Sequence, residues 1–375
     1  MLYQTHARIH LQNIRFNITG IRQAVGSQRK ILIAVKANGY GHGSIEVARL
    51  AEGIGVDWLG VATVPEGLQL RAAGIQLPIL KLSPAFPEEL ETAVRADLTL
   101  TVASRQNVDD LESVCRAAGL KATVHLKLDT GMGRVGVTPQ AAPALAVYLE
   151  QNCLNLHLQG IFTHFPVSDE ADPTYTQGQI DRFQTAVASI QAALGRRVEL
   201  IHASNSGAVL GHASAWLDMV RPGIMIYGFY PDLGTPRTLP LRPGLSFLTR
   251  VSFLKKVTAG TSIGYGRTWI ASEDTWIATL PAGYADGFNR LFSNQGRVLI
   301  NGKSYPIVGR VCMDQSMVNL GPTTDIRIGD PVVLIGRSGA EEITCDEWAE
   351  KLGTISYEVT CQISNRVERI YDLPA

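Results

Sequence analysis

The chain has 375 residues, 45% hydrophobic and 18% charged, a globular composition on a length that favours two domains over one core. Lysine plus arginine equals aspartate plus glutamate at 34 each, so no net field draws the chain to nucleic acid or an anionic membrane. No apolar run is long enough to span a bilayer, and Met1 to Arg8 lacks the continuous apolar core of a signal peptide. The five cysteines (Cys115, Cys153, Cys312, Cys345, Cys361) are odd in number and have no CxxC spacing. They read as reduced thiols of a cytoplasmic protein, not as a disulfide framework or a metal site.

The first part of the chain alternates short apolar strands with amphipathic helical stretches. Candidate strands are 31–35, 58–62, 79–82, 98–102, 123–128, 158–163, 198–201 and about 217–221. Helical patterns lie between them at 44–54, 65–73, 87–95, 105–118, 139–150 and 174–194, with Pro65, Pro87 and Pro139 where a first turn tolerates proline. Eight β/α units is the count of a (β/α)8 TIM-type barrel. An open doubly wound sheet also alternates, but no GxGxxG follows the first strand. Past a proline-rich stretch from Pro231 to Pro243 the segments become short, β-rich and split by glycines, with one helix near Cys345–Leu352. The expected division is a barrel over residues 1–240 and a mainly-β domain over 241–375.

Lys36 ends the apolar run Ile31 to Val35 and opens Lys36-Ala37-Asn38-Gly39-Tyr40-Gly41-His42-Gly43. A lysine at the end of a buried strand is poorly solvated, which favours its neutral, nucleophilic form. The glycines after it allow a bulky partner to come close to the backbone. Such a lysine suits a Schiff base with pyridoxal phosphate (PLP); the alternative is an amine that snorkels to solvent. In a barrel the carboxyl ends of the strands share one mouth. Lys127, Asp129 and Arg134 would reach it from unit five, His164 from unit six, His202, Asn205 and Ser206 from unit seven, and Arg221 and Gly223 from unit eight. Taken alone, His164 could be a satisfied core histidine, and Lys127 with Asp129 a structural pair. Arg134 ends a glycine-flexed loop and suits a carboxylate. The loops Asn205-Ser206-Gly207 and Arg221-Pro222-Gly223-Ile224 lie where barrels bind phosphate, after strands seven and eight.

With these blocks in view, the chain resembles the alanine racemase family over nearly its whole length. The resemblance extends through Lys127-Leu128-Asp129-Thr130-Gly131-Met132-Gly133-Arg134, Ile263-Gly264-Tyr265-Gly266, Gly283-Tyr284-Ala285-Asp286-Gly287, Gly309-Arg310-Val311-Cys312-Met313-Asp314-Gln315 and Tyr357-Glu358-Val359. It implies a PLP-dependent enzyme of bacterial cell-wall metabolism, with Lys36 carrying PLP and acting as one of two acid–base groups. Tyr265 of the partner subunit would be the second, so the resemblance implies a homodimer with shared sites. It places Tyr40, Ser206, Gly223, Ile224 and Tyr357 around the cofactor phosphate and Arg221 at the pyridine nitrogen. His164 would join Arg221 to Tyr265, while Arg134 and the Met313 N–H orient the substrate carboxylate. Lys127 would support Arg134, carbamylated in some family members. Tyr265, Tyr284 and Tyr357 would narrow the mouth, with Asp169, Arg290 and Arg310 on the way in.

Racemisation takes a proton from Cα and returns one to either face, so it needs an acid–base group on each side. A phenol ordinarily titrates near 10 and needs help to act as a base near neutrality; a chain through His164 to a cationic Arg221 would supply it. A crowded mouth favours alanine, with serine as a slower substrate, since pockets reject small additions weakly. A PLP amino-acid decarboxylase would place an acid where Arg221 stands, and a non-catalytic PLP carrier of the single-barrel type has no second domain.

Overall fold

A computed structural model describes residues 2–372. Residue 1 and residues 373–375 of the expected domains lie outside that range. The chain falls into two compact units, one spanning Ile14–Arg242 and the other formed by the first thirteen residues together with those from Pro243 onward. Strand β1 (His6–Ile9) belongs to the second unit, and the division falls inside helix α1 (Leu11–Val25). The expected division puts residues 1–13 with the barrel; the partners of β1, given below, are β strands of the second unit.

In the first unit, β2 (Lys30–Ala34), β3 (Trp58–Val61), β4 (Ile79–Lys81), β5 (Leu98–Val102), β6 (Ala122–Lys127), β7 (Leu156–Phe162), β8 (Leu200–His202) and β9 (Met219–Val220) pair in parallel. β9 also pairs with β2, which closes the barrel. The expected (β/α)8 architecture is therefore what the chain forms. Its helices begin where local chemistry dictates. Thr63 and Glu66 form a reciprocal capping box at Val64–Ala72, with Pro65 in the first turn, and Ser104 caps Arg105–Ala118. The helix expected from Pro139 starts later, at Ala142, and Pro143 takes its first turn.

Leu32, Trp58, Leu80, Leu200 and Met219 fill part of the barrel, with Leu82 packed on them. Burying each large apolar side chain stabilises the fold by roughly 2 kcal/mol. The strand ends that carry the polar residues are therefore anchored in a dense core.

In the second unit, β10 (Leu245–Arg250) begins a mostly antiparallel arrangement. It continues with β11 (Phe253–Val257), β12 (Ser262–Ile263), β13 (Trp269–Ile270), β14 (Thr275–Leu280), β15 (Arg297–Ile300) and β16 (Lys303–Pro306). β17 (Ser316–Gly321), β18 (Pro331–Ser338), β19 (Glu341–Ile343) and β20 (Glu368–Tyr371) complete it. The largest sheet runs β16-β15-β18-β10-β1-β20, with β19 on β18; β1 lies antiparallel to β10 and parallel to β20. A second sheet runs β11-β14-β17, and β12 pairs with β13. Val257, Ile263, Ala271, Ile277 and Val308 form one of its apolar clusters. The helix expected near Cys345 spans Cys345–Leu352, capped by Thr344, and a short helix at Ser356–Cys361 follows it. Among the described residues no helix is long and apolar enough to cross a membrane.

Candidate active site

Lys36 follows β2 by two residues and is half-buried, with Nζ 6.0 Å from the centroid of the Tyr40 ring. The turn after it is unusual. Ala37, Asn38, Gly39 and Tyr40 all have left-handed backbones, with φ of 51°, 52°, 62° and 51°. Left-handed geometry costs an L-residue about 1–2 kcal/mol, so consecutive non-glycine examples persist only where their surroundings enforce them. Here Ala37 N–H donates to Glu66 Oε1 at 2.7 Å, Gly39 N–H to Val35 O at 2.8 Å, and Ser44 N–H to Asn38 Oδ1 at 3.0 Å. Tyr227 packs its ring 5.1 Å from that of Tyr40 and donates its hydroxyl to Ala34 O at 2.9 Å. The strained turn holds Lys36 and Tyr40 in fixed relation.

Arg221 follows β9 and is only 6% exposed. Its guanidinium donates to Thr163 O at 2.7 Å, Ala203 O at 2.9 Å, His202 Nδ1 at 2.9 Å and, more loosely, His164 Nδ1 at 3.4 Å. No carboxylate is among these partners. Burial lowers its pKa to about 9, which leaves it cationic at neutral pH. Because guanidinium only donates, His202 must accept at Nδ1 and carry its proton on Nε2. That proton faces His125 Nδ1 at 2.9 Å, and His125 Nε2–H then faces Gln159 Oε1 at 3.3 Å. Burial, with the Arg221 charge, pushes His202 well below the ordinary histidine range, and burial takes His125 down to about 4, so both are neutral. His164 is also held neutral, first by burial and then by Arg221 and Arg134. With its Nδ1 turned to Arg221, the His164 Nε2 proton is left for another acceptor. His125 was not among the residues the sequence singles out. It sits inside an apolar strand, where a histidine reads as core.

Beside Tyr40 lies a cradle of hydroxyl and amide groups. Ser206 Oγ accepts from Gly223 N–H at 2.9 Å, and Asn205 caps the turn that carries Ser206 through Ala208 N–H at 3.0 Å. A Cβ on Gly223 would come within 2.8 Å of Tyr40 Oη, so only glycine allows the two to approach this closely. Ile224 opens the short 3-10 turn Ile224–Tyr227 next to them.

Lys127 ends β6, is buried, and has its pKa lowered to about 8 by burial first and by Arg134, Arg221 and Lys36 next. Asp129 does not pair with it. Its Oδ1 accepts the N–H groups of Gly131, Met132 and Gly133 at 3.0, 2.9 and 3.1 Å, folding the loop that presents the exposed Arg134. Tyr175 and Arg182 tie the same loop down through Gly131 O at 2.8 Å and Thr130 O at 3.1 Å.

The remaining candidates lie on the β unit. Tyr265 sits between Gly264 and Gly266, both left-handed at φ 75° and 71°, and is 72% exposed. Met313 is 53% exposed, Tyr284 opens a 3-10 turn, and Tyr357 lies half-buried on Ser356–Cys361. An exposed tyrosine on a glycine-flanked tip contributes little to its own core.

The family model for the alanine racemase N-terminal domain matches residues 9–231, and that for the C-terminal domain matches residues 245–371. The chain belongs to the alanine racemase family. It is 48% identical to an alanine racemase of Cutibacterium acnes, covering 98% of this chain and 97% of that one. The alanine racemase structure from Clostridium difficile superposes with a TM-score of 0.94 at 38% identity, covering 99% and 96% of the two chains. That from Bacillus anthracis with bound L-Ala-P gives 0.94 at 36%, covering 100% and 96%.

Alanine racemases are isomerases that depend on PLP, and the barrel residues fit that group. An amine, Lys36, suits its carbonyl. The hydroxyl and amide cradle of Tyr40, Ser206 and Gly223 suits a phosphate without a basic patch. The donor-only Arg221, with no carboxylate on it, suits an unprotonated ring nitrogen.

Proposed function

We propose that this protein interconverts L-alanine and D-alanine, using PLP held on Lys36 in the barrel of one subunit and completed by the β domain of a second copy. The observation that carries this reading is the barrel mouth, where an amine, a phosphate-type cradle and a buried donor-only arginine occur together. When bound, PLP delocalises the charge left on Cα once its proton is removed. Lys36 moves that proton on one face and Tyr265 of the partner subunit on the other. Arg134 and the Met313 N–H of the partner subunit hold the substrate carboxylate, with Lys127 supporting Arg134. Tyr40, Asn205, Ser206, Gly223, Ile224 and Tyr357 hold the phosphate end.

The tautomer forced on His164 supports the two-base reading. Its Nε2 proton can donate to the oxygen of Tyr265 of the partner subunit, with Arg221 behind it on the other ring nitrogen. Tyr284 narrows the approach, which suits alanine and tolerates serine as a slower substrate. A cytoplasmic enzyme of this kind would supply D-alanine for peptidoglycan. Exchange between subunits tests the shared site. Lys36→Ala and Tyr265→Phe homodimers should each be nearly inactive, and mixing them should restore part of the activity, because one hybrid site keeps both bases. No recovery despite demonstrated exchange would contradict it.

A further inference from the structure

Asp286 is a fully buried carboxylate with no part in the chemistry described above. It is saturated with donors. Oδ1 accepts from Tyr3 Oη at 2.9 Å and Arg366 Nε at 2.7 Å; Oδ2 accepts from Arg366 Nη2 at 3.1 Å and Gly283 N–H at 2.8 Å. The third Arg366 nitrogen, Nη1, reaches Asp314 Oδ1 at 2.9 Å. The pair with Asp286 raises the Arg366 pKa further above its ordinary value, so the guanidinium is permanently charged.

These contacts bracket Met313. The turn that Asp286 closes, Gly283 to Gly287, lies against the Cys312–Asp314 loop. Tyr284 N–H donates to Cys312 O at 3.1 Å and Ala285 N–H to Met313 O at 3.0 Å. A Cβ on Gly283 would overlap the carbonyl oxygens of Cys312 and Met313, so no other residue lets the two loops lie this close. A trans peptide is planar, so fixing the Cys312 carbonyl toward Tyr284 points the Met313 N–H the opposite way, out from the turn. That N–H has no acceptor among the described residues. On its other side, Asp314 is moored to Arg366.

We propose that Asp286 and Arg366, assisted by Tyr3, are positioning residues that aim the Met313 N–H at the substrate carboxylate and so set the affinity for alanine. The inference rests on the assignment of Met313 made above. Burying a carboxylate completely, with an exposed arginine laid over it as its counter-charge, is an expensive way to hold a surface turn. It makes sense where the direction of one exposed N–H must not drift.

The test uses the PLP-loaded enzyme and two ligands that share a carboxylate: alanine, and propionate, which is alanine without its amino group. Arg366→Lys keeps the charge but loses the two-pronged geometry. It should raise KM for L-alanine by about tenfold and the propionate inhibition constant by the same factor, with kcat within about twofold, as expected for lost uniform binding. Asp286→Asn should behave likewise. Tyr3→Phe removes a single hydroxyl from the carboxylate, disturbs folding least, and should raise both constants by about twofold. A merely structural role would lower the unfolding temperature while leaving KM and the propionate constant alone. That result in Arg366→Lys and Tyr3→Phe, with propionate still competing in the unaltered enzyme, overturns the inference and leaves the Met313 assignment standing. If propionate does not compete with alanine in the unaltered enzyme, the Met313 assignment fails and the inference with it.

Discussion

His202 offers a sharp test of the buried relay, because leucine and glutamine at this position make opposite predictions. His202→Leu strands two groups with no access to water: one Arg221 N–H, 2.9 Å from the ring it now bonds, and His125 Nδ1, also at 2.9 Å. A hydrogen bond to a charged group contributes about 1.5–3 kcal/mol, and a stranded neutral acceptor costs about 1–3 kcal/mol, so the expected loss is about 2.5–6 kcal/mol. His202→Gln can turn its carbonyl toward Arg221 and its amide toward His125, repeating the acceptor-then-donor order that the tautomers impose. It loses mainly the stacking on Phe162, 4.9 Å between centroids, and should cost only about 1–2 kcal/mol. Urea unfolding at one fixed PLP concentration reads the difference, with Trp58, 5.4 Å from the His125 ring, as the fluorescent reporter of the barrel core. If the leucine variant unfolds within about 1 kcal/mol of the glutamine variant, the relay does not carry the energy assigned to it.

Acid should weaken the barrel through the same residues. His125 has a folded pKa lowered from 6.5 to about 4, so the folded state binds fewer protons than the unfolded chain, and stability falls as pH drops from 6.5 toward 4. The loss approaches about 3 kcal/mol and should be absent from a His125→Gln variant; a Gln variant with an unchanged acid slope would contradict it. Gly223→Ala puts a methyl 2.8 Å from Tyr40 Oη and should weaken PLP binding by about tenfold in an absorbance titration, whereas unchanged binding would remove the cradle from the phosphate site. Arg221→Glu replaces a donor by a group that can keep the ring nitrogen protonated. It should raise pyruvate formation from alanine relative to racemisation, followed by coupling to lactate dehydrogenase. An unchanged ratio would mean that Arg221 does not restrain this side reaction.

Much of the barrel could be read from the chain, because the strands are apolar runs and several helices carry their own cap or proline. Lys36 and Arg221 stand out as polar residues at strand ends. Other parts had no local signal. Alanine and tyrosine rarely adopt left-handed backbones, so Ala37-Asn38-Gly39-Tyr40 reads as an ordinary glycine turn until Glu66, far along the chain, is seen to hold it. Asp129 looks paired with Lys127 two positions earlier, yet its oxygen is taken by three backbone N–H groups. His125 lies in a strand, and the space for its ring comes from Gly160 on the neighbouring strand. The N-terminal strand β1 pairs with residues more than two hundred positions away, which no local pattern encodes.

The most direct measurement is racemisation itself. The purified protein, incubated with PLP and L-alanine, should be yellow and should produce D-alanine detectable with D-amino-acid oxidase. The reverse reaction should proceed as well, and Lys36→Ala should abolish both. A colourless protein that stays inactive with added PLP would contradict the account.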